Sequence, residues 1–152
     1  MGRRRIKKME TTAKQSEAKI LAESGCYFFS IIEGCIRFAR ERMNAEITVD
    51  IFALFEKSVK NGWLAADCSV LNPDKIAGEI LGKNVTTRHA TLEEVPDENE
   101  IEITKYARRE NGKGYEHFVL TRNNKVLYDS LDGSLTVKNG TRISKRILRV
   151  KL

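Results

Sequence analysis

The chain has 152 residues, of which 41% are apolar and 32% are charged, and its mean hydropathy is −0.41. This length suits one domain with a single core, and the composition excludes both a membrane-spanning protein and a fully disordered chain. The net charge of +6 comes from the two ends, because residues 1–8 and 138–152 contain basic side chains and no acidic ones, while residues 9–137 carry all 21 acidic side chains.

The amino-terminal end is first basic and then polar. Residues 1–18 are predicted to form a flexible arm, and residues 19–152 are predicted to form a single domain. The cations from Arg3 to Lys8 could open a secretory signal, but residues 9–19 are polar, where a signal needs about 7 to 15 apolar residues. The sequence therefore predicts a cytoplasmic protein with no membrane partner.

Three helices are predicted in the amino-terminal half. Apolar residues recur every three or four positions over residues 25–43, and Ser24 before them is a suitable N-cap. A second helix is predicted over residues 48–62, with Thr48 as its cap. A third, shorter helix is predicted over residues 72–82, where an Asn-Pro pair provides a cap and a first-turn residue.

The carboxy-terminal half is predicted to be an antiparallel sheet. β-branched and polar residues alternate after Asn84, and residues 93–102 form an acidic loop. Because Asn-Gly is the strongest short-range hairpin signal, Asn139 and Gly140 are predicted to join the last two strands. The predicted strands cover residues 101–107, 115–121, 125–129, 135–138 and 142–151. Helices followed by an antiparallel sheet predict an α+β fold.

Cys26 is a candidate nucleophile. It lies in the first turn of the first predicted helix, where unpaired N–H groups and the helix dipole favour a thiolate. The structural alternative is a cysteine that begins an apolar helix face. Cys35 and Cys68 make the total an odd and small number, which argues against a disulfide framework. Histidines and cysteines do not cluster at zinc spacing, so no metal and no other cofactor are predicted.

His117 is a candidate general base, because it begins an apolar strand after a glycine-rich turn. Asp129 lies twelve residues further on, and a hairpin with an odd-numbered loop would place it opposite His117 on the same sheet face. A two-residue loop at residues 123–124 would put the two side chains out of phase. Asp129 would orient the imidazole, or would alternatively cap a turn. His89 is predicted to be a structural or surface histidine.

These motifs occur in a defined order along the chain: Ser-Gly-Cys-Tyr opens a long apolar helix, a His-Phe-Val-Leu strand follows, and a Tyr-Asp-Ser-Leu-Asp-Gly-Ser turn comes last. In this order the chain resembles the papain-like cysteine peptidases, within them the small bacterial branch that includes the double-glycine leader peptidases of bacteriocin exporters. The resemblance covers about residues 20–150. It implies a helical half packed on an antiparallel sheet, a nucleophilic Cys26, a base His117, an orienting Asp129, and a peptide or protein substrate.

One position departs from the pattern of that family. The family carries a glutamine about half a dozen residues before the cysteine, where its amide helps to hold the oxyanion, but residues 19–21 of this chain are Lys, Ile and Leu. Gln15 is a candidate substitute only if the segment between Gln15 and Cys26 bends back. Loss of one oxyanion donor costs about a hundredfold to a thousandfold in rate in other enzymes.

The sequence therefore leaves three functions open. The first is a peptidase or amidase that attacks a peptide or amide carbonyl through Cys26. The second is a catalytically weak or inactive domain of the same fold that binds a protein partner. The third is a nucleic-acid binder that uses its two basic ends.

Overall fold

The computed structural model of the protein describes residues 15–152, which form an α+β fold. The helices are α1 (residues 15–24), α2 (Cys26–Arg42), α3 (Ile51–Lys60), α4 (Pro73–Leu81) and α5 (Leu135–Asn139). The strands are β1 (Asn84–Ala90), β2 (Glu100–Glu110), β3 (Lys113–Arg122), β4 (Lys125–Tyr128) and β5 (Thr141–Lys151). The predicted α+β class is confirmed. The predicted arm, residues 1–18, lies outside the described residues except for residues 15–18, which belong to α1.

The three predicted helices are present as α2, α3 and α4, with two corrections at their amino ends. Ser24 is the last residue of α1, and the N-cap of α2 is Gly25, which has no side chain to donate or accept. α3 begins later than predicted, because the carboxylate of Asp50, and not Thr48, caps it by accepting the Ala53 N–H at 3.1 Å. Over residues 15–152, no helix combines the length and the apolar character that crossing a bilayer requires.

The strands of the described chain form one antiparallel sheet in the order β1-β5-β2-β3-β4. The predicted hairpin between residues 135–138 and 142–151 is wrong, because residues 135–139 form α5 and β5 lies between β1 and β2. The Ser134 hydroxyl caps α5 by accepting the Val137 N–H at 3.1 Å. Gly140 then passes close to β2, where a Cβ would lie 2.5 Å from the Ala107 carbonyl oxygen. The Asn-Gly pair therefore marks a helix end and a close approach of two chain segments.

The helical layer packs on one face of the sheet through α2. A Cβ on Gly34 would lie 2.7 Å from Ile101 Cγ2 and 3.1 Å from Leu120 Cδ1, so glycine lets α2 approach β2 and β3 closely. Nearer its amino end, α2 contacts β3 again where the Ser30 hydroxyl donates to the Phe118 carbonyl at 3.4 Å. These contacts fix the amino end of α2 beside β3.

The opposite face of the sheet contains a buried ion pair. Lys145 Nζ lies 2.8 Å from Glu102 Oε1, and both residues are 1% exposed. The ammonium also donates to the Glu94 carbonyl at 2.7 Å, and the Asn124 N–H donates to Glu102 Oε2 at 3.0 Å. The loop of residues 91–99 and the β3–β4 turn thus provide further hydrogen bonds to Lys145 and Glu102.

Candidate active site

Cys26 lies at the junction of α1 and α2, which are separated only by Gly25. The Gly25 N–H donates to the Leu21 carbonyl at 2.9 Å, and a Cβ on Gly25 would lie 2.3 Å from that same oxygen. Glycine is therefore needed for the chain to leave α1 and to begin α2 at the next residue. Because no side chain caps α2, the N–H groups of its first turn are not taken up by a capping oxygen.

The residues predicted as base and orienting acid are in direct contact. His117 Nε2 lies 2.6 Å from Asp129 Oδ1, and the two side chains are 4% and 7% exposed. The same carboxylate accepts the Leu131 N–H at 2.9 Å and the Ser134 N–H at 3.0 Å. Asp129 therefore caps the turn after β4 and also orients His117. The contact at Nε2 leaves Nδ1 of the imidazole free of this carboxylate.

The turn between β3 and β4 has two residues. A turn of this length, with no irregularity in the strands, would place His117 and Asp129 on opposite faces of the sheet. Asn123 and Asn124 form it, with φ of 51° and 69°. The register next to the turn, continued along both strands, would place Asp129 opposite Phe118, on the face away from His117. The observed contact therefore requires a shift of register between the turn and the site.

A β-bulge supplies this shift. Thr121 pairs with Val126, but the next residue of β3, Leu120, pairs with Tyr128, so β4 contains one extra residue. Continued one residue beyond β4, the new register brings Asp129 back into phase with His117. The bulge thus places Asp129 on the same face of the sheet as His117, which the turn alone would prevent.

The Cys26 thiol and the His117 imidazole line the same cleft, and each shifts the pKa of the other. Burial alone would raise the pKa of Cys26, but the hydrogen bond and charge of His117, with the backbone N–H groups of Phe118 and Tyr27, outweigh burial and lower this pKa below its usual value. Burial alone would lower the pKa of His117, but its hydrogen bonds and charge interactions with Cys26 and Asp129 raise it. The two shifts favour a thiolate–imidazolium pair, which is the nucleophilic form of a Cys–His site.

Asp129 stays ionised although it is buried. Burial would raise its pKa, but hydrogen bonds from the Ser134 N–H, from His117 and from the Leu131 N–H together lower it. A charged carboxylate at this position stabilises the imidazolium of His117.

Two clefts meet at Cys26. The larger, of about 620 Å³, extends from Cys26 past residues 68–74 towards β1 and β5. The smaller, of about 360 Å³, lies on the His117 side beneath residues 130–136. A peptide chain therefore has space on both sides of the thiol. In the part of the chain that the structure describes, no group of three His, Cys, Asp or Glu side chains is placed to hold a metal ion.

Gln15 does not meet the condition for an oxyanion role. It is the first described residue of α1, which continues as a helix to Ser24 without bending back. At about 1.5 Å per residue, nine residues of helix carry Gln15 roughly 13 Å away from Ser24. The donor that the geometry leaves for an oxyanion is the Cys26 N–H, at the start of α2.

The three cysteines are all free, and they differ in their surroundings. Cys35 is fully buried within α2, and burial raises its pKa. Cys68 lies in the wall of the larger cleft with a φ of 71°, and burial, with the charges of Cys26 and Asp67, raises its pKa to about 12. Cys26 is the one of the three whose pKa is lowered.

Four residues of the larger cleft were missed from the sequence. The rings of Tyr27 and Phe118 stack at 4.4 Å with an interplanar angle of 19°, and each directly follows a predicted site residue, which is the signal that could have found them. Arg146 and His89 also line this cleft. They are paired neighbours on β5 and β1, and no local pattern indicates that pairing.

The sequence profile of the DUF261 family, described as "Protein of unknown function", matches residues 8–150. Neither the curated proteins nor the solved structures include a match to the chain.

Proposed function

The chain belongs to the DUF261 family, and we propose that it is a cysteine hydrolase that attacks a peptide or amide carbonyl through Cys26. The observation that carries the proposal is that Cys26, at the start of α2, lines one cleft with His117, whose Nε2 lies 2.6 Å from Asp129 Oδ1. The order of these residues and the helix-then-sheet arrangement support a papain-like peptidase. The free thiols favour a reducing compartment, so the proposed location is the cytoplasm.

In the first half of the proposed reaction, the Cys26 thiolate forms a bond with the carbonyl carbon of the substrate. The carbon–nitrogen bond then breaks as the imidazolium of His117 gives its proton to the departing amine. The products of this step are a free amine, a thioester at Cys26 and a neutral imidazole. Asp129 keeps a proton on Nε2, so that Nδ1 exchanges the reacting proton.

In the second half, a water molecule attacks the thioester. His117 takes a proton from the water as its oxygen bonds to the carbonyl carbon, and the carbon–sulfur bond breaks. A carboxylic acid leaves, and the thiolate–imidazolium pair of Cys26 and His117 is restored.

The oxyanion of both steps would be bound by the Cys26 N–H at the start of α2, where the helix dipole also favours negative charge. Since Gln15 lies roughly 13 Å along α1 from Ser24, it is not the second donor. This observation also favours the second candidate, a domain of the same fold that binds a peptide or protein and hydrolyses it slowly or not at all.

The nucleic-acid alternative receives less support from the carboxy-terminal basic residues. Lys145 is buried in an ion pair with Glu102, and Arg149 is paired with Asp97 at 2.7 Å. These two cations of β5 are already neutralised within the protein, which reduces the charge available for phosphates.

The proposal is tested by incubating the purified chain with a complex mixture of peptides and identifying new termini by mass spectrometry. Wild-type protein is expected to cleave some of these peptides, and Cys26→Ala is expected to cleave none. Cys35→Ala, which removes a buried thiol of the same helix, is the matched control and should retain cleavage. If wild type cleaves nothing but binds peptides as well as Cys26→Ala does, the binding domain is supported and the hydrolase is not.

A further inference from the structure

Arg146 is held in the wall of the larger cleft, which also contains Cys26. Its guanidinium carbon lies 5.6 Å from the centre of the Phe118 ring, within cation–π distance. Phe118 stacks in turn on Tyr27, the residue directly after Cys26. The guanidinium is therefore held in a fixed place relative to the thiol, through two stacked rings.

The charge of Arg146 is not neutralised by a carboxylate. Its Nη1 donates to Ser144 Oγ at 2.9 Å and to the Lys145 carbonyl at 3.3 Å, and both acceptors are neutral. The ion pairs within residues 15–152 do not include Arg146. Lys105 of the same wall is, in contrast, paired with Glu116 at 3.1 Å. Within the described chain, Nε and Nη2 of Arg146 are thus the donors that remain for a ligand.

The positions of the acidic residues in the larger cleft determine where the carboxylate of a ligand could bind. Glu116 is already paired with Lys105. Asp74 lies in the first turn of α4, where an acidic side chain complements the helix dipole. A carboxylate from a ligand would be repelled by Asp74 and attracted by Arg146, so it would bind at the β5 side of the cleft.

We infer that the larger cleft is a subsite for an acidic side chain of the substrate, and that Arg146 is its specificity-determining residue. The inference rests on the proposed hydrolase function. A Glu or Asp carboxylate would accept from Nε and Nη2 of Arg146 in the two-pronged geometry that guanidinium favours. The substrate class is then a peptide with an acidic residue close to the bond that is cleaved.

The test uses aza-peptide epoxides, which carry residues on both sides of the electrophile and modify a reactive cysteine. Probes that differ only in having Glu, Gln or Lys at one position are compared by their second-order rates of Cys26 modification, measured by intact mass. For wild type, the Glu probe should react about tenfold faster than the Gln probe at one position. Arg146→Gln should bring this ratio close to one, and Arg146→Glu should make the Lys probe the fastest.

Two variants control for loss of structure. Arg142→Gln removes the same charge from an exposed position of β5 outside the cleft lining and should keep the wild-type preference for Glu. Arg146→Lys keeps a cation without the two-pronged donors and should keep only part of the preference. An unchanged rate with the Gln probe in Arg146→Gln shows that the site itself is intact.

The outcomes separate this inference from the proposed function. Equal rates for the Glu, Gln and Lys probes at every position would overturn the acidic subsite and leave the hydrolase standing. A Glu preference that persists in Arg146→Gln would also overturn it. If no peptide probe modifies Cys26 although iodoacetamide does, the hydrolase proposal fails, and the inference fails with it.

Discussion

Asp129 accepts three hydrogen bonds, one from the His117 ring and two from the N–H groups of Leu131 and Ser134. Each donor stabilises the ionised carboxylate, so the net shift of its pKa is downward although burial alone would raise it. The two backbone donors come from the turn itself and do not depend on His117. The turn therefore keeps the Asp129 carboxylate ionised, and this negative charge stabilises the imidazolium of His117.

The pH dependence of Cys26 alkylation follows from the two shifted pKa values. The Cys26 pKa is lowered from 9.0 and the His117 pKa is raised from 6.5, so the thiolate persists at pH values below 9.0 and the imidazolium persists at pH values above 6.5. His117→Ala removes the hydrogen bond and charge that lower the thiol pKa. The rate of iodoacetamide labelling at pH 7 should then fall about tenfold or more, because each unit of pKa changes the thiolate fraction tenfold.

The labelling rates are to be measured by mass spectrometry from pH 5 to 9, with Cys35 and Cys68 as internal references that stay slow. Asp129→Asn should shift the profile less than His117→Ala, since it weakens the support of the imidazolium and leaves the imidazole in place. Arg142→Gln, at an exposed position of β5 outside the lining of both clefts, is the control and should leave the profile unchanged. Identical profiles for wild type and His117→Ala would show that His117 does not activate Cys26.

The sequence singles out Cys26, His117 and Asp129 as candidates because the signals for each are local: a helix start, the first residues of an apolar strand and a turn sequence. Their mutual geometry could not be predicted in the same way. The two-residue turn at Asn123 and Asn124 indicates the wrong phase, and the bulge in β4 that corrects it has no signature in the four residues of that short strand. Which side of a sheet a residue faces depends on pairing with a neighbouring strand.

The junction at Gly25 is the element that determines where α2 begins. The sequence predicts Gly25 as the first residue of this helix, after a Ser24 cap, but the structure has two helices that meet at Gly25. The reason is steric, since any Cβ on Gly25 would lie against the Leu21 carbonyl. Such a contact with the preceding helix is not visible in the apolar periodicity of α2.

Gly25→Ala is expected to lower both stability and Cys26 reactivity. The new Cβ would lie 2.3 Å from the Leu21 carbonyl oxygen, so α1 and α2 must separate, at a cost of about 1–3 kcal/mol in the free energy of unfolding. Because the start of α2 moves relative to His117, iodoacetamide labelling of Cys26 should slow as well. Urea denaturation and labelling rates measure the two effects.

Gly114→Ala is the matched control for this substitution. A Cβ on Gly114 meets no atom within 4 Å, so its effect on the free energy of unfolding should stay within about 0.5 kcal/mol. Equal stability and equal labelling of Gly25→Ala and wild type would mean that the junction accommodates a side chain and does not fix Cys26.

At the scale of the whole molecule, the last strand joins regions that are far apart in the chain. β5 pairs with β1 on one side and with β2 on the other, and it contributes Arg146 to the helix-side cleft and Lys145 to the opposite face. Adjacent residues of β5 therefore lie on opposite faces of the sheet, one towards the helices and one away from them. The predicted local hairpin would have given β5 a different neighbour, and for that reason neither role could be foreseen from the sequence.

The buried pair on the face away from α2 is expected to be sensitive to the loss of either partner. Lys145 and Glu102 are almost completely buried, and the polar groups that satisfy them come from the Glu94 carbonyl and the Asn124 N–H. Removal of one charge leaves the other buried without its counter-charge, which typically costs about 3–5 kcal/mol. Removal of both charges avoids this cost.

Lys145→Met and Glu102→Gln should therefore each lower the free energy of unfolding by about 3–5 kcal/mol, and the double variant should lose clearly less than the sum of the two. Gln at position 102 still offers an oxygen to Asn124, and Met fills the space of the lysine stem. Glu79→Gln, which breaks the exposed pair with Lys57, is the control and should cost less than about 1 kcal/mol. Urea denaturation of the four variants measures this cycle, and additive losses would show that the two buried charges do not stabilise each other.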